Sequence, residues 1–251
     1  MTVVLITAAG VGGATVIGAL LGFLFKNIPH KFNDSILGFA AGIMLCAAVV
    51  GLILPSIEYG GDNGVWTTAA GVITGAVFLN FADRFIPHLH KIVGIDIEEH
   101  KNTQNIDKVM LFVMAIAIHN LPEGIAAGVS FGTGDIGDAI AVSTGIVLQN
   151  IPEGMVIIAP LLTTGIGRRK TFWIAAFTGL IEVVGTFIGY FAITLSKAML
   201  PFALAFAGGT MLYVISDEMI PETHSHGYER ISTYSLIIGF IIMLMMSFYI
   251  G

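Results

Sequence analysis

The sequence predicts an all-α polytopic membrane protein, a single bundle of eight transmembrane helices over residues 1–251, built with inverted repeats. Three observations lead there. The 251 residues are 55% hydrophobic and only 11% charged, against about a quarter charged in an ordinary soluble domain. Eight stretches stay apolar for the roughly 20 residues a helix needs to cross a bilayer. Two internal repeats relate spans that run in opposite directions. The same composition excludes other classes. Eleven basic and 17 acidic side chains are too few to disperse a soluble body of this size, and disordered chains are poor in apolar residues. The single cysteine, Cys46, lies in an apolar run, so neither a disulfide framework nor a four-cysteine zinc module fits. A net charge of -6 offers no basic footprint for nucleic acid.

The spans are expected at about 2–25, 35–57, 65–85, 108–131, 138–162, 171–195, 201–220 and 231–250. The first has no basic segment before it and an apolar run too long for a signal peptide, so it reads as a retained span. Span two carries Phe39 to Leu45 and closes on Pro55 and Glu58. Span three ends in the one long connection, a polar loop at about 86–107. Spans four and five carry His119-Asn120-Leu121-Pro122-Glu123-Gly124 and Gln149-Asn150-Ile151-Pro152-Glu153-Gly154, an offset of 30 residues. Span six contributes Glu182. Span seven repeats span two, with Phe206 to Leu212 leading to Pro221 and Glu222, and span eight is apolar throughout. Spans four and five run oppositely, as do spans two and seven. Inverted repeats centred on proline-interrupted helices mark alternating-access transporters, which bind substrate near the midplane.

Ten of the eleven basic residues fall in loops that follow odd-numbered spans; only Lys197 does not. The positive-inside rule makes that side cytoplasmic and puts both termini outside. The outer side carries Glu58, Asp62, Asp135 and Asp138, and an acidic mouth concentrates cations. Glycine pairs four residues apart, such as Gly124 with Gly128 and Gly185 with Gly189, are expected mostly to pack the bundle, with a few serving homodimer contacts.

Polar residues inside a bilayer are costly, so their default reading is functional. His119 lies eleven residues past Lys108 and Asn150 twelve past Asp138, near the centre at 1.5 Å per residue. His119, Asn120 and Glu123 share one helix face, and Gln149, Asn150 and Glu153 repeat the geometry. Pro122 and Pro152 lack the amides that would bond the carbonyls of Ile118 and Leu148, leaving further oxygen donors. One imidazole, three carboxylates and three side-chain amides form the mixed nitrogen and oxygen set that suits zinc and other first-row dications. Their charge of -3 balances one dication with excess, or two nearly. If they form one site, His119, Glu123, Glu153 and Glu182 converge on one point.

These segments, with Glu182 and the span-seven stretch Ala205 to Glu222, resemble the ZIP (Zrt-, Irt-like) family of divalent-metal transporters, in particular its GufA-like branch. The likeness covers essentially the whole chain. It implies uptake of zinc into the cytoplasm, with cadmium, manganese and iron as alternatives, across the plasma membrane, and no cofactor. It also implies one metal position at His119, Glu123, Gln149 and Glu153. A second would use Asn120, Glu123, Asn150, Glu153 and Glu182, with Glu123 and Glu153 bridging the two. Many relatives place histidines and an extra acid where Gln149 and Asn150 stand, so the amides here make a less charged site. Asp217 and Glu218 occupy the place of an acidic pair in relatives and would line the exit or form salt bridges. His224 and His226 lie at the inner mouth, and His88, His90, Glu98, Glu99 and His100 lie in the loop that is often histidine-rich.

Other chemistries fit less well. A membrane metalloprotease needs His-Glu-x-x-His, but Asn120 follows His119 and Glu123 stands where the second histidine would be. No Walker motif is present, so the chain is no ATP-driven pump in itself. A metal-selective channel could use the same residues; the inverted repeats favour a carrier.

Overall fold

The computed structural model describes residues 1–24, 29–85, 104–163 and 165–251. The loop residues His88, His90, Glu98, Glu99 and His100 lie outside them. Eight long helical rods make up the bundle. They are α1 (Thr2–Leu24), α2 (His30–Tyr59), α3 (Gly64–Phe85), α4 (Gln104–Val129), α5 (Ile136–Thr163), α6 (Arg168–Leu195), α7 (Lys197–Thr223) and α8 (Glu229–Ile250). Helices α1, α2, α3, α5, α6, α7 and α8 are each long and apolar enough over 18 residues to cross a membrane, and the chain is an integral membrane protein.

One rod starts well before the apolar stretch read from the sequence. Helix α2 begins at His30, a turn before the apolar run, because Pro29 stands at its N-cap with extended backbone and the polar residues 30–34 simply continue the helix. That extra turn brings Asp34 inside, fully buried.

Rods α2 and α7 are not uniformly α-helical. Each widens into a π segment, Ala47–Ile53 and Ile215–Met219, directly before a proline, Pro55 and Pro221. A proline removes one amide and crowds the carbonyl four residues back, and the wider turn accommodates both. The repeat read from the sequence is therefore repeated in backbone conformation.

The helices sort into two sets of four. In one set α1 packs on α5 and α6, and α4 packs on α6. In the other α2 packs on α8, and α3 on α7. Glycines allow these close crossings. A methyl group at Gly124 would collide with the carbonyl oxygen of Glu182, and one at Gly42 with that of Leu236. The sets meet through α2 against α5 and α4 against α7. That seam is apolar towards the end where α4 leads into α5, with Ile43, Met44, Val142, Ile146, Met211 and Met243 all buried. Large side chains such as Trp66, Ile73, Phe78 and Phe81 on α3 and Ile238, Ile241 and Phe248 on α8 face outwards, as a lipid-facing surface requires.

Candidate metal site

In α4 and α5 the Pro-Glu-Gly triplets put two jobs on adjacent residues. Successive residues on a helix point about 100° apart. Glu123 is buried beside the other acids, while the next residue, Gly124, lies against the backbone of α6 at Glu182. In α5, Gly154 likewise lies against the Thr15 carbonyl of α1, next to half-buried Glu153. The glycines draw the helices together at the level of the acids.

Glu182 stands at the centre of the first helix set, fully buried. Its Oε1 accepts hydrogen bonds from Asn120 Nδ2 at 2.6 Å and from the Thr15 hydroxyl at 2.7 Å. Its Oε2 accepts one from Asn150 Nδ2 at 2.6 Å, and that amide also reaches the Val11 carbonyl at 3.2 Å. One carboxylate on α6 thus joins α1, α4 and α5. Glu123 has Glu153, Glu182 and His119 as its electrostatic neighbours. Glu153 in turn faces His119 and Glu218.

His119, on α4 and partly exposed, places Nε2 2.9 Å from Glu218 Oε1 on α7. Glu218 belongs to the π segment, whose extra residue per turn changes the direction in which side chains leave the rod. A position expected along the exit or in a salt bridge is therefore in contact with the central histidine. Its neighbour Asp217 is exposed.

Asn150 Oδ1 is buried in this region without a hydrogen-bond partner among the described residues, while the Gln149 amide faces the Glu123 carboxyl. Such groups are rare in protein interiors and call for an explanation. Among the described residues no three histidine, cysteine or acidic side chains are arrayed to hold a metal ion together. The expected convergence on one point is thus not pre-formed. The side chains are gathered in one region, with Glu182 turned to two amides and His119 to Glu218.

The remaining sequence candidates lie at the basic end, with partners of their own. His224 holds the Ile220 carbonyl at 2.8 Å and faces the Thr233 hydroxyl at 3.3 Å. His226 lies 3.1 Å from Asp34 and stacks on His30 with ring centroids 4.3 Å apart. Sequence reasoning missed Thr15 and Asp34. The first was visible only as the one hydroxyl between Gly12 and Gly18 in span one, the second as an acid just ahead of an apolar run.

Comparison with known proteins bears on the family of the chain. Residues 96–247 match the family model described as ZIP Zinc transporter. The chain is 37% identical over 246 residues to Zinc transporter GufA of Myxococcus xanthus, covering 96% of each protein. It is 35% identical to Zinc transporter ZIPB of Bordetella bronchiseptica, over 95% of this chain and 78% of that protein. It is 31% identical to Zinc transporter ZupT of Lysinibacillus sphaericus, over 92% of this chain and 91% of that protein.

Proposed function

The chain belongs to the ZIP family of zinc transporters, and from that premise we propose that it carries zinc and related dications into the cytoplasm through the polar region between α4, α5 and α6. It is a membrane transporter and not an enzyme. In our reading the whole chain acts as one transport domain in the plasma membrane, with the basic end inside and both termini outside, the arrangement that the positive-inside rule favours. One metal position uses His119, Glu123, Gln149 and Glu153. A second, next to it, uses Asn120, Asn150 and the same two glutamates, with Glu182 behind the amides.

The observation that carries this reading is the gathering of His119, Glu123, Glu153 and the Gln149 amide in one region, where Asn150 Oδ1 is also buried without a hydrogen-bond partner among the described residues. Inside a bilayer each unsatisfied polar group costs several kcal/mol, and a cation ligated by the oxygens removes that cost when it passes. The absence of thiolates from the set favours reversible binding, since soft sulfur ligands hold zinc and copper most tightly. Glu218 beside His119 extends the polar path from the site towards the basic end.

Zinc uptake into proteoliposomes tests it. Glu123→Ala, Glu153→Ala and His119→Ala should each reduce initial uptake at least tenfold, with flux in the wild type saturating in zinc as a carrier's does. Normal uptake by all three variants would overturn the assignment.

A further inference from the structure

We infer that the basic end of α6 holds the headgroup of one anionic phospholipid, with the acyl chains lying along the outward face of the same helix. The inference goes beyond metal transport and needs no metal. It takes from the proposed function only that the basic end of the bundle faces the cytoplasm.

Arg168, Arg169 and Lys170 follow one another at the start of α6, and all three are exposed. With Gly167 and Trp173 they line an open recess of about 600 Å³. Among the described residues no carboxylate is paired with any of the three, and the first turn of the helix holds no acid. Three adjacent cations repel one another, and an anion seated among them removes that penalty. Arginine meets phosphate through a planar fork and lysine as a point charge. Arg168 is already oriented. Its guanidinium lies over the Phe23 ring, 5.3 Å from the centroid, and its Nη2 donates to the Phe23 carbonyl at 3.3 Å. A guanidinium carries five N–H donors, so most of the fork remains for a ligand.

The surface next to the recess decides the class of anion. Beyond the cations α6 turns Trp173, Phe177, Leu180, Val184, Ile188 and Phe191 outwards, each between 48% and 62% exposed. Steps of three or four residues keep them on one helix face. From Trp173 to Phe191 the stripe runs about 27 Å at 1.5 Å per residue, close to the roughly 30 Å of a hydrocarbon core. Trp173 belongs both to the stripe and to the recess, so the cationic and apolar surfaces are continuous. Tryptophan favours the membrane–water interface, which puts the cations at headgroup level and the stripe at the depth of the acyl chains. A soluble phosphate would use the cations alone, and a second copy of the chain on the stripe would leave them without an anion. A phospholipid of the anionic cytoplasmic leaflet uses both surfaces. Because Arg168 is tied to Phe23, a phosphate bound there also joins the end of α1 to the start of α6.

The test is lipid binding to the full chain in detergent, read by native mass spectrometry with phosphatidylglycerol and phosphatidylcholine of equal chain length. The wild type should retain one phosphatidylglycerol with a preference of roughly thirtyfold. The double variant Arg169→Gln/Lys170→Gln should lose that preference, as removal of two cationic contacts with an anionic headgroup implies. Arg168 is kept, so the contact with α1 survives. Exchanging the two side chains, Arg169→Lys/Lys170→Arg, keeps the charge and should keep most of the preference. Thermal unfolding gives the second readout. Phosphatidylglycerol should raise the unfolding temperature of the wild type and not of the glutamine variant, while both unfold alike in phosphatidylcholine. Equal retention of the two lipids by the wild type, or an undiminished preference in the glutamine variant, would overturn the proposal. So would an equal rise in unfolding temperature with inorganic phosphate, or disulfide crosslinking of Leu180→Cys between two chains.

Discussion

Within each set of four helices the closest contacts are backbone against backbone; between the sets, apart from Gly137 against the Ile250 carbonyl at one end, they are made by side chains. Gly124 lies on the Glu182 carbonyl and Gly154 on that of Thr15 in one set, while Gly42 lies on Leu236 and Gly239 on Phe39 in the other. Across the seam Gly51 meets a methyl of Val142, Gly145 meets the sulfur of Met243, and His119 meets Glu218. Backbone has nowhere to yield, whereas a methionine side chain changes rotamer readily. Each set should therefore behave as a rigid body that holds its own geometry, with the seam as the softer surface. The Glu182 network lies wholly inside one set. The His119–Glu218 pair is a polar contact that crosses between them.

The largest effect should come from a methyl group placed on a backbone contact. Gly42→Ala and Gly154→Ala force helices apart, and each should cost about 3 kcal/mol, the upper range for overpacking, read as a large drop in thermal unfolding temperature in detergent. Gly154→Ala should abolish zinc uptake as well, because the crossing it disturbs supports Thr15. A mild effect at both positions would break the comparison.

Next comes the crossing pair. Glu218→Gln should leave stability nearly unchanged, since the amide keeps the shape of the side chain and a hydrogen-bonding oxygen towards His119. It should nevertheless raise the zinc Kd roughly tenfold, as loss of a group that orients a histidine ligand does. Equal damage to stability and binding would mean that the pair is structural.

A smaller effect sharpens the contrast from the other set. The Ser56 hydroxyl bonds the Pro201 carbonyl at 2.6 Å and the Thr68 hydroxyl at 2.7 Å, all away from the acids. Ser56→Ala should cost about 1 kcal/mol in unfolding with zinc affinity unmoved. Smallest of all, Gly145→Ala at the seam should cost under about 1 kcal/mol, because only the flexible Met243 must give way.

How the site was read from the sequence follows the same division. His119 and Asn120 precede Glu123 by four and three residues on one helix, so helical spacing was enough to put them towards one face. Gln149, Asn150 and Glu153 follow by the repeat. Glu182 was visible as an acid inside an apolar run, but its partners were not. Glu218 was expected along the exit or in a salt bridge; it pairs with His119, a partner on another helix that spacing within span seven could not name.

The sequence by itself determined that this chain crosses a membrane, where the helices fall and where the unusual polar residues sit. Those properties depend on hydropathy and on spacings of one or two turns. It also carried the family likeness, which resides in the paired motifs. Only the tertiary structure decided what each polar atom does. Thr15 and Glu182 are 167 residues apart, and no local pattern says that their helices cross at that level or that an amide turns its nitrogen to one side. Which donors reach the Glu182 carboxylate depends on how closely four helices approach.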